Sequence, residues 1–222
     1  QNHAPNVPES RAYTLRFCLR VKNLVDAYRP DLLYFDNYDR SAYGGSWMLK
    51  VIAHYYNRGM RNGRCDVVFT RKHIPASFRG GMLWDVERGL LNGIQPHPWQ
   101  MDTCIGHWHY EYGLKYRPVG QILHLLMDVV SKNGNLLLNI PLKGEGSLDP
   151  YERTILEDLA RWFAVNGEAV YGTRPWTIFG EGLPPDPEDA NYSWNEEQKV
   201  ARLPGQIRFT TRGPHLYATL LG

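Results

Sequence analysis

Two carboxylates stand where hydrolytic chemistry would need them. Asp36 ends the apolar run 30–36, and Glu87 ends a second strand-like run, 80–87. A near-continuous apolar run between turn residues is typical of a strand that is buried on both faces of a parallel sheet. A carboxylate just past the carboxyl end of such a strand lies where α/β barrels hold their catalytic groups. Two such groups, one attacking and one donating a proton, are the minimum equipment for glycoside hydrolysis.

The same carboxylates also have simpler interpretations. Asp36 could only cap the loop that follows it, as Asp residues do in turns. Asp85 precedes Glu87 by two positions, which puts both on one face of a strand, and only one of them need be functional. The spacing of the carboxylates therefore leaves their roles open.

A third group of reactive side chains lies between residues 96 and 110, a polar and aromatic stretch that we expect to form a loop. His107, Trp108 and His109 follow Asp102 in this stretch. The residue types are those of a zinc site, but no third ligand stands at a diagnostic spacing. We expect instead that the two histidines donate hydrogen bonds to a ligand or pack structurally, and that Trp108 packs on the apolar face of a sugar or in the core.

Strand and helix patterns alternate along the chain and would position these groups. Apolar residues at helical spacing predict four helices, which end near Arg29, Gly59, Asn133 and Asn166. Buried strands are predicted at 31–36, 65–70, 80–87 and 135–140. Asp149 and Glu152 form a capping-box pattern at the start of the last helix. Four βα units indicate an α/β fold that is half of an eight-stranded TIM barrel.

The composition changes after Pro175, where Pro, Glu, Asp and Gly dominate through residue 190. Runs 206–211 and 216–220 then resemble a β-hairpin. We therefore predict barrel residues at 1–175, a linker at 176–190, and the start of a β domain at 191–222. Because the chain begins with Gln1 and stops directly after a strand-like run, we also expect it to be a piece of a longer protein.

Composition excludes several other classes of protein. A net charge of +2 gives no basis for binding nucleic acid, and no apolar run is long enough to span a bilayer. Three widely spaced cysteines predict no disulfide framework, and we expect Cys18 and Cys65 to be buried thiols. Neither a phosphate-binding glycine loop nor a nucleophilic serine elbow is present in the sequence.

Several motifs together resemble one family, the α-L-fucosidases of glycoside hydrolase family 29. The resemblance covers nearly the whole chain in the correct order. Its most specific pieces are 130–139 (VSKNGNLLLN) and 166–171 (NGEAVY), and it also includes 30–36 (PDLLYFD), 98–106 (PWQMDTCIG) and 207–211 (IRFTT).

The resemblance implies a (β/α) barrel followed by a β-sandwich, with this chain holding the C-terminal half of the barrel. It also implies a retaining mechanism without metal or organic cofactor, and Asp36 as the nucleophile. Some members carry Glu where this chain has Gln100, and glutamine cannot donate and recover a proton. Glu87 is therefore the expected acid/base, with Glu111 and Asp102 as the next candidates.

The resemblance further implies that the substrate is a fucosylated glycan. We expect Trp108, His107, His109 and Asp102 to bind it, with no nucleic-acid or membrane partner. Half a parallel barrel leaves two sheet edges uncovered, so the expected structural partner is the missing N-terminal barrel half. The family suggests a secreted, periplasmic or lysosomal setting. Two alternatives stay open: a carbohydrate-binding relative that has lost catalysis, and a metal hydrolase centred on the histidines.

Overall fold

A computed structural model describes residues 11–36, 46–61, 63–72, 74, 76–182, 194–201 and 204–222. The helices are α1 (Arg11–Tyr28), α2 (Ser46–Gly59), α3 (Val119–Ser131), α4 (Pro150–Asn166) and α5 (Glu196–Val200). The first strands are β1 (Leu32–Phe35), β2 (Met60–Arg61), β3 (Arg64–Cys65), β4 (Val68–Arg71) and β5 (Leu83–Glu87). The remaining strands are β6 (Trp99–Cys104), β7 (Gly134–Asn139), β8 (Arg174–Glu181), β9 (Gln206–Arg212) and β10 (His215–Leu221).

Five strands form one sheet in the order β1-β4-β5-β6-β7. The pairs β1–β4, β4–β5 and β6–β7 are parallel. The helices α2 and α3 lie in the crossovers that parallel pairing requires. This arrangement confirms the predicted α/β half-barrel. The predicted hairpin is also confirmed, since β9 and β10 pair antiparallel and β8 completes a three-stranded sheet.

The predicted loop over 96–110 is wrong in its first half, because β6 is a strand whose six residues are all buried. Three of those residues are polar, so the stretch lacks the apolar run by which the other strands were predicted. Two of them are hydrogen-bonded to side chains outside the strand: the Gln100 amide donates to Asp85 Oδ1 at 2.7 Å, and the Thr103 hydroxyl donates to Glu196 Oε2 at 2.7 Å. A polar side chain that is hydrogen-bonded inside the protein costs little to bury.

Burial of the other predicted strands also differs from expectation. Leu32 on β1 is 49% exposed and Leu137 on β7 is 45% exposed, so neither strand is buried on both faces. Among the strands that the structure describes, β1 and β7 are the outer members of the sheet, and each has a single strand partner. Within the described residues, each of these two strands therefore has one hydrogen-bonding edge without a neighbouring strand.

The second predicted strand begins later than expected. It starts at Val68 because Arg64 and Cys65 pair with β2 in a two-residue hairpin instead. Cys65 is consequently exposed and Cys18 is only half-buried, so the expectation of two buried thiols is wrong for Cys65. All three cysteines are free.

The chain forms two compact units, residues 1–84 and 85–222. The first has a core in which Val25, Tyr55 and Phe69 are almost completely buried. The Tyr55 hydroxyl donates to the carbonyls of Pro30 and Val68, and so ties α2 to the starts of β1 and β4. Burial raises the pKa of this phenol to about 12, which keeps it a hydrogen-bond donor.

The second unit is held together by a buried charge cluster. Asp128 on α3 accepts from Lys132 Nζ at 2.7 Å and from the Arg208 guanidinium on β9 at 2.8 Å. All three side chains are at most 3% exposed. Buried charges are tolerated only when they are paired, so this cluster fixes α3 against the antiparallel sheet.

The predicted linker overlaps a strand. β8 covers residues 174–181, whereas 183–190 lie outside the described residues. The division into 1–175, 176–190 and 191–222 stays a prediction. Among the described helices, none combines the length and the apolar character needed to cross a bilayer.

The capping box at the start of α4 is confirmed and yields a stability prediction. Asp149 accepts from the Tyr151 backbone N–H at 2.9 Å, and Glu152 Oε2 accepts from the Asp149 N–H at 2.8 Å. Asp149→Ala should lower the free energy of unfolding by about 1 kcal/mol, because it leaves helix-terminal N–H groups without acceptors. Thermal unfolding of the full-length protein measures the change. The exposed Glu157→Ala on the same helix is the control, and equal effects of the two substitutions would contradict the prediction.

Candidate active site

Asp36 lies directly after β1 and is held by two neighbours. Lys72 Nζ donates to Asp36 Oδ1 at 2.6 Å, and the Tyr34 hydroxyl lies 3.3 Å from the same oxygen. The Asp36 side chain is 54% exposed, whereas the Lys72 side chain is 11% exposed. The carboxylate is therefore accessible from solvent, while a largely buried ammonium fixes its position.

The register of the sheet explains why Asp36 meets Lys72. β1 and β4 are parallel, with Phe35 opposite Arg71, so the next residue of each strand emerges side by side. Sequence reasoning missed Lys72, because it stands 36 positions after Asp36 and only the pairing register brings the two together.

Glu87 is the last residue of β5 and is half-buried. Its backbone is tightly held, since the Glu87 carbonyl accepts from the Trp194 N–H at 3.0 Å. The next residue, Arg88, has a positive φ of 47°, and its N–H donates to the Asp102 carbonyl at 2.8 Å. The turn that follows Glu87 is thus bonded both to β6 and to the C-terminal segment.

Asp85 and Gln100 form a separate buried pair. Asp85 is 1% exposed and accepts from Gln100 Nε2 at 2.7 Å. Of the two β5 carboxylates, Asp85 is therefore engaged by an amide in the interior, and Glu87 is the more exposed. Gln100, the residue that raised doubt about the acid, serves here as a hydrogen-bond donor to Asp85.

Asp102 lies in the middle of β6 and is 5% exposed, so it is part of a buried strand and not of the loop that was predicted. His107, Trp108 and His109 follow the carboxyl end of β6, where the histidines are exposed and Trp108 is half-buried. The Trp108 carbonyl accepts from Asn139 Nδ2 at 3.2 Å, which ties this loop to the end of β7. His107 Nδ1 lies 3.1 Å from Glu111 Oε1.

Both histidines lie in a loop. Within the described ranges, no group of three or more His, Cys, Asp or Glu side chains is arranged to hold a metal ion. His107 instead has an exposed carboxylate, Glu111, as its partner.

A buried ion cluster next to β5 was also missed by sequence reasoning. Glu196 is 1% exposed and accepts from Arg88 Nε at 2.5 Å and from Arg117 Nη2 at 2.9 Å. Burial acts to lower the pKa of Arg88, but the ion pairs with Glu196 and Glu197 outweigh burial and the net shift is upward. The sequence carries no signal for this cluster, because Glu196 stands 108 positions after Arg88.

The family model described as alpha-L-fucosidase matches residues 1–168 of this chain. The chain belongs to the α-L-fucosidase family. The match includes both strand-end carboxylates, Asp36 and Glu87, as well as the loop with Trp108. The resemblance that the motifs indicated is thereby confirmed.

Other α-L-fucosidases match this chain in sequence at low identity. The human plasma α-L-fucosidase is 30% identical over 171 residues, which cover 73% of this chain and 36% of that protein. The rat tissue α-L-fucosidase is 27% identical over 166 residues, which cover 72% of this chain and 36% of that protein. The chain thus spans little more than a third of the length of these relatives.

Solved structures agree on the fold. One α-L-fucosidase structure matches with a TM-score of 0.73 and 25% identity, over 97% of this chain and 44% of that one. The Thermotoga maritima α-fucosidase in complex with fucose matches with a TM-score of 0.68 and 24% identity, over 94% of this chain and 42% of that one. The half-barrel and the antiparallel sheet therefore have counterparts in solved α-L-fucosidases.

Proposed function

We propose that this chain carries the catalytic carboxylates of a retaining α-L-fucosidase, which removes terminal α-L-fucose from fucosylated glycans or glycoconjugates. The observation that carries the proposal is the α-L-fucosidase family match over residues 1–168, which contains both Asp36 and Glu87. Asp36, exposed and paired with Lys72, has the accessibility and the fixed position that a nucleophile needs.

In the proposed first step, Asp36 attacks the anomeric carbon of fucose while the bond to the aglycone oxygen breaks. Glu87, protonated, gives its proton to that oxygen, and a covalent fucosyl–Asp36 ester forms. In the second step, the Glu87 carboxylate takes a proton from water as the water oxygen attacks the anomeric carbon. The ester bond breaks, fucose leaves with retained configuration, and Asp36 and Glu87 return to their starting states.

We further propose that the loop after β6 contacts the sugar. Trp108 would pack its ring on an apolar face of fucose, and His107 or His109 would donate hydrogen bonds to its hydroxyls. The exposure of both histidines supports this role. Asp102 is the fourth proposed binding residue. Because its side chain is buried within β6, it is better placed to hold the Arg88 turn, through its backbone carbonyl, than to contact the sugar directly.

A non-catalytic carbohydrate-binding protein is the second candidate. The observation that favours it is Gln100, an amide at a position where some family members carry the acid. The Glu87→Gln experiment below separates the two candidates, since a binding protein would have no turnover to lose.

The first prediction from this mechanism concerns Asp36. In the full-length protein, Asp36→Ala should lower kcat by several orders of magnitude, because no covalent intermediate can form. Azide should partly restore turnover and give a fucosyl azide of inverted configuration. Asp31→Ala, an exposed carboxylate five positions earlier, is the matched control and should leave kcat close to that of the parent protein. Near-normal turnover of Asp36→Ala would remove this residue from the mechanism.

The second prediction concerns Glu87. Glu87→Gln should slow glycosides with sugar leaving groups by about 10² to 10⁴-fold, because these leave only after protonation. Activated aryl fucosides should lose far less in kcat/KM, since their leaving group departs without a proton and kcat/KM reports only the first step. Measurement of kcat/KM on both substrates gives the difference, with Glu111→Gln as the comparison. If Glu87→Gln slowed both substrates equally, or if Glu111→Gln alone gave the selective loss, the acid would be elsewhere.

The third prediction concerns Trp108. Trp108→Ala should raise KM for fucosides by about tenfold, the loss expected when an aromatic ring no longer covers an apolar face, with little change in the melting temperature. Tyr112, which is 99% exposed in the same loop, provides the control substitution Tyr112→Ala. A large drop in melting temperature with an unchanged KM would instead identify Trp108 as a core residue.

A further inference from the structure

The short segment 194–199 binds the chain that immediately follows β5. The Trp194 N–H donates to the Glu87 carbonyl at 3.0 Å, and the Glu196 N–H donates to the Arg88 carbonyl at 3.1 Å. Asn195 continues the pattern, because its Oδ1 accepts from the Leu90 N–H at 2.8 Å and its Nδ2 donates to the Leu90 carbonyl at 3.2 Å. Three consecutive residues therefore fix the backbone from Glu87 to Leu90.

The side chain of Glu196 anchors this segment from within. It is 1% exposed, and it accepts from Arg88 Nε at 2.5 Å, from Arg117 Nη2 at 2.9 Å and from the Thr103 hydroxyl at 2.7 Å. Thr103 lies on β6 and Arg88 directly follows β5, so one carboxylate joins the ends of two neighbouring strands. Charge-assisted hydrogen bonds of this kind are short and directional, which suits a positioning role.

The turn at Arg88 needs such support. Its φ of 47° lies in the left-handed region, which non-glycine residues occupy at a cost in free energy and retain only when their surroundings hold them. Besides Glu196, the Arg88 guanidinium contacts Glu197 at 3.1 Å and lies 4.8 Å from the centroid of the Trp194 ring. Every one of these contacts comes from the segment 194–197.

We propose that Glu196 is a positioning residue for Glu87, and that through Arg88 it sets the direction from which the proposed acid/base reaches the leaving oxygen. The inference rests on the proposed function, in which Glu87 is the proton donor. A general acid must come within hydrogen-bond reach of the oxygen that it protonates. Displacement of such a group by about 1 Å can cost about 10²-fold in rate.

The test compares two classes of fucoside in the full-length protein: an activated aryl α-L-fucoside, and a fucosyl disaccharide with a sugar leaving group. Glu196→Gln keeps the size of the side chain but removes the charge that holds both arginines. We expect kcat/KM on the disaccharide to fall about tenfold more than kcat/KM on the aryl fucoside, since kcat/KM reports the first step, in which only the disaccharide needs the proton. Glu196→Asp, which keeps the charge, should recover part of the disaccharide activity.

Two controls separate positioning from stability. Glu197→Gln removes an exposed carboxylate that contacts the same two arginines, and it should change either rate by less than about twofold, since exposed ion pairs contribute little. Glu152→Gln removes a carboxylate that is 0% exposed and accepts from the Tyr116 hydroxyl. It should lower the melting temperature but slow both substrates alike.

The measured rates and melting temperatures distinguish a positioning role of Glu196 from a purely structural one. An equal loss on both substrates by Glu196→Gln, with the melting temperature lowered as in Glu152→Gln, would overturn the proposal and leave Glu196 a structural role. Unchanged kinetics would overturn it too. If Glu196→Gln does not fold, Glu196→Asp carries the same comparison, and an equal loss there also overturns it. If Glu87→Gln loses activity selectively on the disaccharide but the Glu196 variants do not, the positioning role of Glu196 is refuted and the acid/base assignment of Glu87 stands. If Glu87→Gln shows no selective loss, both the acid/base assignment and the positioning role are refuted.

Discussion

Parallel strand pairing is the constraint from which the candidate site follows. In a parallel pair, both strands end at the same edge, so the residues just past those ends become neighbours whatever their separation in sequence. The register of β1 and β4 aligns Phe35 with Arg71, and the ion pair between Asp36 and Lys72 is the direct consequence. The register of β6 and β7 aligns Cys104 with Asn139, and Asn139 in turn holds the loop that contains Trp108. Which of these side chains lie close together is therefore decided by strand register more than by local sequence.

Buried charge is the second organising feature, and it separates two kinds of carboxylate. Asp128 pairs with Lys132 and Arg208 and fixes α3 against β9. Glu196 pairs with Arg88 and Arg117 and secures the turn after β5. Both are almost fully buried and paired, as the cost of desolvating a charge demands. Asp36 is different, because it is paired with a cation and yet more than half exposed, as the proposed nucleophile requires.

The polar strand β6 shows how a buried element can look like a loop. Gln100, Asp102 and Thr103 are all at most 5% exposed, yet they interrupt the apolar pattern that marks a central strand. Two of them have partners from outside the strand: Asp85 for Gln100, and Glu196 for Thr103. These partners satisfy two of the buried polar side chains, and neither partner is adjacent in sequence.

The sequence by itself determined the alternation of strands and helices, the capping box of α4, the C-terminal hairpin and the position of Asp36 after a strand. These features depend on periodicity and on turn or cap residues a few positions apart, which local physics fixes. The family motifs are likewise contiguous runs. Only the tertiary structure decided that β6 is a strand, that Cys65 is exposed, that Lys72 pairs with Asp36, and that Glu196 pairs with Arg88. Each of these depends on hydrogen bonding or burial between residues far apart in the chain, such as the 108 positions between Arg88 and Glu196, and no local pattern encodes that proximity.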